Sequence, residues 1–247
     1  MKKVLAINSS IRKNNTFNLL KKIEKKLNEK DIMVDFINLK DYNIKECVGC
    51  ELCITKDICN LNDDMDILMN KLKNYDGIII STPVYMSNLS GKLKVFLDRT
   101  CRWFHRPELT GCPILLVSTT AGSGLKDTFL TLEKIMYQWG AFPVGKIGRS
   151  LGNLNEDVKD KDIDNFVMHL YMDKCKFKPN LNQLINFQVQ KVLAVKILTF
   201  DRKYWEDKDW ISKDYFFNAK IPIVSKIISR SFYKMLYKKV NPVNNNF

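Results

Sequence analysis

The run Cys47-x2-Cys50-x2-Cys53-x5-Cys59 gathers four of the chain's seven cysteines. Thiolates are the ligands that iron–sulfur clusters take, and a cubane uses one sulfur per iron, so Cys47, Cys50, Cys53 and Cys59 can close on a single [4Fe–4S] cluster. Zinc is the rival, but structural zinc sites usually draw two separated cysteine pairs from different turns. A bare thiol group or a disulfide relay is the third reading. The spacing favours the cluster over both, although the fourth cysteine lacks the proline of bacterial ferredoxin runs. Cys101, Cys112 and Cys175 stand apart and read as ordinary buried thiols.

Three other segments can hold a ligand without metal. Asn8 to Thr16 is dense in hydroxyls and amides, with one guanidinium. Ser10, Arg12, Asn15 and Thr16 can surround a phosphate, helped by the amides of the helix that starts there. The plain alternative is a polar loop with a Thr cap. Glycine triplets are absent, so the segment is neither a dinucleotide fingerprint nor a Walker loop, and a mononucleotide suits it better than a pyrophosphate. Ser81 to Gly91 mixes flat apolar groups with backbone at Pro83, Val84, Tyr85, Met86, Ser87 and Asn88, which gives a planar heterocycle apolar walls for its faces and N–H groups for its edge. Ser118 to Gly124 offers Thr119, Thr120 and Gly122, small enough for a ring to approach the backbone. His105 and His169 neighbour no nucleophile or acid pair, so surface or packing roles are expected. Asp63-Asp64 could take a cation but more simply complements a helix dipole.

These segments sit where an alternating pattern would put them. Lys3–Ile7, Ile32–Asn38, Gly77–Ile80, Pro113–Val117 and Phe142–Ile147 read as buried strands. Between them fall helices with apolar stripes at Leu20, Ile23, Leu27; Met65, Leu68, Met69, Leu72; Leu93, Phe96, Leu97; and Phe129, Leu132, Met136, Trp139. A helix with Ile163, Phe166, Val167 and Leu170 ends the series. Asn15 or Thr16 caps the first helix, and Ser90 the third. Alternation demands crossovers, hence a parallel α/β sheet wound on both faces, with ligands outside the carboxyl ends of its strands.

From about Cys175 the alternation stops. Residues 181–197 suggest a helix, an aromatic stretch from Tyr204 to Phe217 follows, and a last helix spans Ile223 to Val240. The whole chain of 247 residues carries +13. Fifteen Lys and Arg against five Asp and Glu lie from Lys174 onward, so the basic character belongs to this extension. The division expected is therefore 1–173 and 174–247. Lys226, Arg230, Lys234 and Lys238 recur every fourth residue beside apolar positions. Such a helix can lie on an anionic membrane or meet an acidic protein, though a core-packing helix with a solvated basic face is favoured. Nucleic-acid binding has no reading motif to support it. A hydrophobic share of 45% and a charged share of 27% fit a globular chain and exclude wholesale disorder. The Met1-Lys2-Lys3 start leads only into Val4–Ile7 before polar residues resume, so a cytoplasmic protein is expected.

Ser-x-Arg followed by Asn-Thr, then Pro-Val-Tyr with a Ser-Gly and the helix Leu93-Lys94-Val95-Phe96-Leu97-Asp98-Arg99, resembles the NADPH-dependent FMN reductases of the flavodoxin-like superfamily over about residues 1–150. With the cysteine run, the chain is more similar still to the iron–sulfur flavoproteins of anaerobic archaea and bacteria. The resemblance implies a five-stranded sheet of order 2-1-3-4-5, FMN phosphate on Ser10, Arg12, Asn15 and Thr16, and the flavin ring against Pro83–Asn88. One departure is a residue, often Gly, missing before Asn-Thr. The implied function is electron exchange between a [4Fe–4S] cluster and FMN, with ferredoxin or NAD(P)H as donor, a quinone, oxygen or peroxide as acceptor, and a homo-oligomeric assembly. An NAD(P)H-dependent FMN or quinone reductase without a cluster, and a non-enzymatic flavodoxin-like carrier, are the alternatives.

Overall fold

A computed structural model describes residues 1–242. Five strands form one parallel sheet: β1 (Lys2–Asn8), β2 (Ile32–Asn38), β3 (Gly77–Pro83), β4 (Pro113–Thr120) and β5 (Phe142–Ser150), in the order β2-β1-β3-β4-β5. This is the flavodoxin-like arrangement, whose switch point lies between β1 and β3. Alternate residues of each strand feed opposite faces. Leu5, Ile7, Ile78, Ile80, Ile114 and Leu116 pack beneath α3 (Met65–Leu72), α4 (Gly91–Asp98) and α6 (Leu125–Gln138). Val4, Ala6, Ile79, Leu115 and Val117 pack beneath α1 (Asn15–Asn28) and α7 (Asp160–Tyr171). Central strands buried on both faces must be apolar throughout, which is why they lack polar alternation. Gly77 opens β3 where α7 crosses it, and a Cβ there would lie 2.5 Å from Leu170 Cδ2.

Four strands reach beyond the apolar runs, three of them by small hydroxyl residues or Asn at their carboxyl ends. There the side chains tie neighbouring strands together. Ser81 Oγ donates to Ile7 O at 2.9 Å, and Ser118 Oγ to Thr82 O at 2.9 Å. Two short helices escape periodicity altogether, α2 (Leu52–Thr55) inside the cysteine segment and α5 (Arg102–His105) after α4.

The extension adds α8 (Leu181–Lys196), α9 (Thr199–Asp207) and α10 (Ile223–Lys239). It builds its own aromatic cluster from Phe187, Trp205, Trp210, Tyr215 and Phe216, and it docks through buried polar groups. Gln190 Nε2 donates to Phe104 O at 2.7 Å and Gln138 O at 2.9 Å, and Trp205 Nε1 to His105 O at 2.8 Å. The core-packing expectation for α10 holds only on one side. Ile223, Val224, Ile227, Ile228 and Met235 are exposed, because the helix packs by the face that carries Ser229. No helix among the described residues is long and apolar enough to cross a membrane.

Candidate functional site

The three ligand loops meet at the carboxyl edge of β1, β3 and β4. In the first, Asn8 makes a turn by accepting from Ser10 N at 3.2 Å, and Ser10 Oγ donates to Arg12 O at 2.8 Å. Asn14, not Asn15 or Thr16, is the cap residue of α1, and no side chain caps it. The first-turn amides are therefore without a side-chain partner, the arrangement that accepts an anion. Thr16 is turned inward instead. Its Oγ1 lies 2.6 Å from Thr119 Oγ1, joining the first loop to the third. Arg12 and Asn15 are exposed at the rim.

The second loop doubles back at Met86-Ser87. Tyr85 N donates to Asn88 O at 2.8 Å and Asn88 N to Tyr85 O at 3.0 Å. Both central residues have positive φ, 46° and 63°, as a type I′ turn requires. The turn holds Tyr85 half exposed and Met86 almost wholly in solvent, so apolar surface faces outward where the resemblance places the ring. Val84 N continues the β3–β4 ladder onto Thr119 O at 2.8 Å, behind half-buried Pro83. Ser90 caps α4 as expected, accepting from Leu93 N, and its Oγ is 3.0 Å from Ser9 Oγ of the first loop.

In the third loop, Thr120 Oγ1 accepts from Gly122 N at 3.2 Å and donates to Ser123 O at 2.6 Å. A Cβ on Gly122 would meet nothing within 4 Å, so the backbone there is open to a ligand. Gly124 serves the protein instead. At φ +90° it packs against the second loop, where a Cβ would lie 2.7 Å from Val84 Cγ1 and 2.9 Å from Ser87 Cα. Uncapped amides, buried hydroxyls and an exposed apolar turn together fit a phosphorylated, planar ligand such as FMN.

A second site lies beside it. Cys47, Cys50, Cys53 and Cys59 all line one cavity of about 420 Å³, closed by α3 and the end of α4. Cys101 lines it too, with its Sγ 3.2 Å from Cys53 Sγ, which corrects its reading as an ordinary buried thiol. Chain spacing gave no hint of this, since Cys101 arrives from the turn between α4 and α5. Cys175 is exposed rather than buried, whereas burial pushes the Cys112 thiol up to about 12. The Cys101 hydrogen bond, opposed by burial, lowers the Cys53 thiol to about 6, with Arg106 and Arg102 adding to the effect, and Cys101 is raised in return.

Two buried ion pairs brace the segment. Arg99 is paired with Asp63, donates to Lys45 O at 2.8 Å, and reaches Cys59 Sγ at 3.4 Å. Asp63 also accepts from the amides of Lys45 and Met65, and Asp64 from that of Asn43 at 2.8 Å. The acidic pair thus does more than complement the dipole of α3: it pins the entry to the cysteine loop. Burial pushes the Asp63 pKa up, but the Arg99 bond and the two amides outweigh it and hold the carboxyl below its ordinary range. Arg106, on the other side, is paired with Asp201, and His105 Nδ1 lies 2.8 Å from the same carboxylate. His105 thus packs as expected, but with a partner in the extension; His169 stacks on Phe142.

The cavity's five thiols, with the Arg99 and Arg102 guanidinium groups in its lining, fit a thiolate-bound, negatively charged group in kind and number. Among the described residues, no three Cys, His, Asp or Glu side chains gather as a single-ion site. A cluster demands less convergence, since it spreads its four thiolates over four irons. The cavity and the three ligand loops share α4, whose cap Ser90 stands in one site and whose Asp98 lines the other. Eight residues of helix span about 12 Å.

Residues 2–156 match the model of the NADPH-dependent FMN reductase family. An iron–sulfur flavoprotein of Archaeoglobus fulgidus is 26% identical over 222 residues, covering 85% of this chain and all of the relative. One from Clostridioides difficile is 27% identical over 195 residues, 74% of this chain and 85% of its own. A second A. fulgidus iron–sulfur flavoprotein reaches 41% identity over 98 residues, 40% of this chain and 48% of its own. Among solved structures, RosB with a bound 8-demethyl-8-formylriboflavin-5'-phosphate intermediate aligns with a TM-score of 0.54 at 12% identity, over 100% of this chain and 93% of the other. That likeness shows the fold. The family match covers all three candidate ligand loops and the cysteine segment alike, and with the sheet order it establishes that the chain belongs to the NADPH-dependent FMN reductase family and is a flavin-dependent oxidoreductase.

Proposed function

We propose that the chain is an oxidoreductase of the iron–sulfur flavoprotein type, holding FMN in the three loops and a [4Fe–4S] cluster on Cys47, Cys50, Cys53 and Cys59. FMN exchanges electrons singly or in pairs and a cluster moves one at a time, so the two together connect a one-electron donor such as ferredoxin to a quinone, oxygen or peroxide acceptor. The chain's own residues bind and orient. Uncapped α1 amides with Ser10, Asn15 and Arg12 hold the phosphate, and the Tyr85–Asn88 turn presents apolar surface to one face of the ring. Thr119 and Thr120 would position the third loop, whose open backbone at Gly122 lets the ring approach. Arg99 and Arg102 line the cavity and Arg106 stands behind Cys53, so the thiolates would sit beside guanidinium donors and not in an apolar wall.

The observation that carries this reading is the convergence of all four predicted cysteines on one cavity flanked by guanidinium groups. Anaerobic protein should show about four irons and as many sulfides per chain, with an electron paramagnetic resonance signal on reduction. Each of the four Cys→Ala variants should lose the iron and keep FMN. Retention of full iron by a variant would remove that cysteine from the ligand set. The contact between Cys53 and Cys101 favours a second reading, an NAD(P)H-dependent FMN or quinone reductase in which the cysteines act as thiols. Iron-free protein that turns over with NAD(P)H would select it.

A further inference from the structure

Helix α2 is a single turn that carries Cys53, and a four-residue helix does not persist by itself. Its last carbonyls have no partner within the helix. Arg106 supplies one: Nη1 donates to Ile54 O at 3.1 Å, and Nη2 donates to Cys53 O and to Asp57 Oδ1, the latter at 3.1 Å. A cation at this end also opposes the helix dipole. The guanidinium is itself buried and needs a buried counter-charge to stay there. Asp57 is half exposed and is a weak partner on its own.

The strong partner comes from the extension. Asp201, in the first turn of α9, is fully buried; Oδ1 takes Arg106 Nη1 and Oδ2 faces His105 Nδ1 at 2.8 Å. One turn later Trp205 Nε1 donates to His105 O at 2.8 Å, so α9 grips the end of α5 at two points. The planar fork of arginine matters here, because a single side chain must serve the Asp201 carboxylate and two α2 carbonyls at once.

We propose that Asp201 is a positioning residue for Cys53: by holding Arg106 in place it fixes α2, so the C-terminal extension sets the geometry of the cysteine site. The iron readout below rests on the cluster reading; the exchange and labelling readouts do not.

The test uses the full chain with Asp201→Asn, Arg106→Lys and Asp201→Glu. Lysine keeps a charge opposite Asp201 and so keeps the extension anchored, but it lacks the fork that spans both carbonyls. In metal-free protein, amide exchange over residues 52–56 and alkylation of Cys53 should both quicken about tenfold or more in Asp201→Asn and Arg106→Lys, the effect of losing a charge-assisted bond. Exchange in α8 should stay as in the wild type for Arg106→Lys, and Asp201→Glu should recover part of the wild-type protection. After anaerobic reconstitution, iron per chain should fall or the resonance line shape should change, with FMN affinity within about twofold because Arg106 touches no flavin loop. Wild-type exchange and labelling at 52–56 in Arg106→Lys would overturn the proposal, whatever Asp201→Asn does to folding. A wild type that takes no iron would refute the cluster while leaving the exchange result to decide the positioning role.

Discussion

Arg12 stands exposed beside an uncapped helix start, free to swing onto a phosphate. Arg12→Ala should weaken FMN by about 1–3 kcal/mol, the range for a charged hydrogen bond, in a titration at moderate salt. Unchanged affinity would place the phosphate on backbone and hydroxyls alone. The cysteines differ from one another in a measurable way. In metal-free protein, Cys53 should be alkylated with a midpoint below that of an ordinary thiol and well ahead of Cys112, whose thiol desolvation pushes up to about 12. Cys101→Ala should move the Cys53 midpoint upward, since the Cys101 bond is the largest cause of its depression. The gathering of Cys47, Cys50, Cys53 and Cys59 in one place was legible from spacing. That of Cys101 was not, because residues brought together by a fold leave no spacing to read.

Among the elements, the loop joining β2 to α3 depends on Asp63. A carboxyl held below its ordinary pKa gives stability that is complete above the unfolded value, near pH 4, and is lost as pH falls through the lower folded value. Urea unfolding between pH 3 and 7 should therefore show wild-type stability dropping at the acid end. Asp63→Asn should be less stable already at pH 7, by about 3–5 kcal/mol because Arg99 is left buried and unpaired, and should lack that part of the acid loss. Strand and helix positions were readable because apolar periodicity reports burial directly. Helices α2 and α5 were not: four residues are too few for a period, and both exist through contacts made by Arg106 and Trp205.

At the scale of the molecule, the three candidate ligand loops and the cysteine cavity are two ends of one frame, and the extension braces the second of them. Its stability rests on aromatic packing, with Phe187 against Trp205, Tyr215 and Phe216. Phe187→Ala should cost about 3–5 kcal/mol in chemical unfolding. If the extension supports the cysteine loop, the same variant should speed exchange over 52–56 more than exchange in α1, which it does not touch. Equal effects in both would mean that the chain unfolds as one unit and that the bracing has no separate existence.

The sequence by itself determined the strand order's raw material, the three ligand loops and the cysteine run, because each is local: a burial period, a turn composition or a ligand spacing within one segment. The tertiary structure alone decided which polar groups meet. Asp63 with Arg99, Asp201 with Arg106 and His105, Thr16 with Thr119 and Cys53 with Cys101 join residues from 36 to 103 positions apart. A buried polar group must find a partner wherever the packed chain brings one. That choice is made by the sheet's crossovers and the docking of α9, and no single stretch of sequence records it.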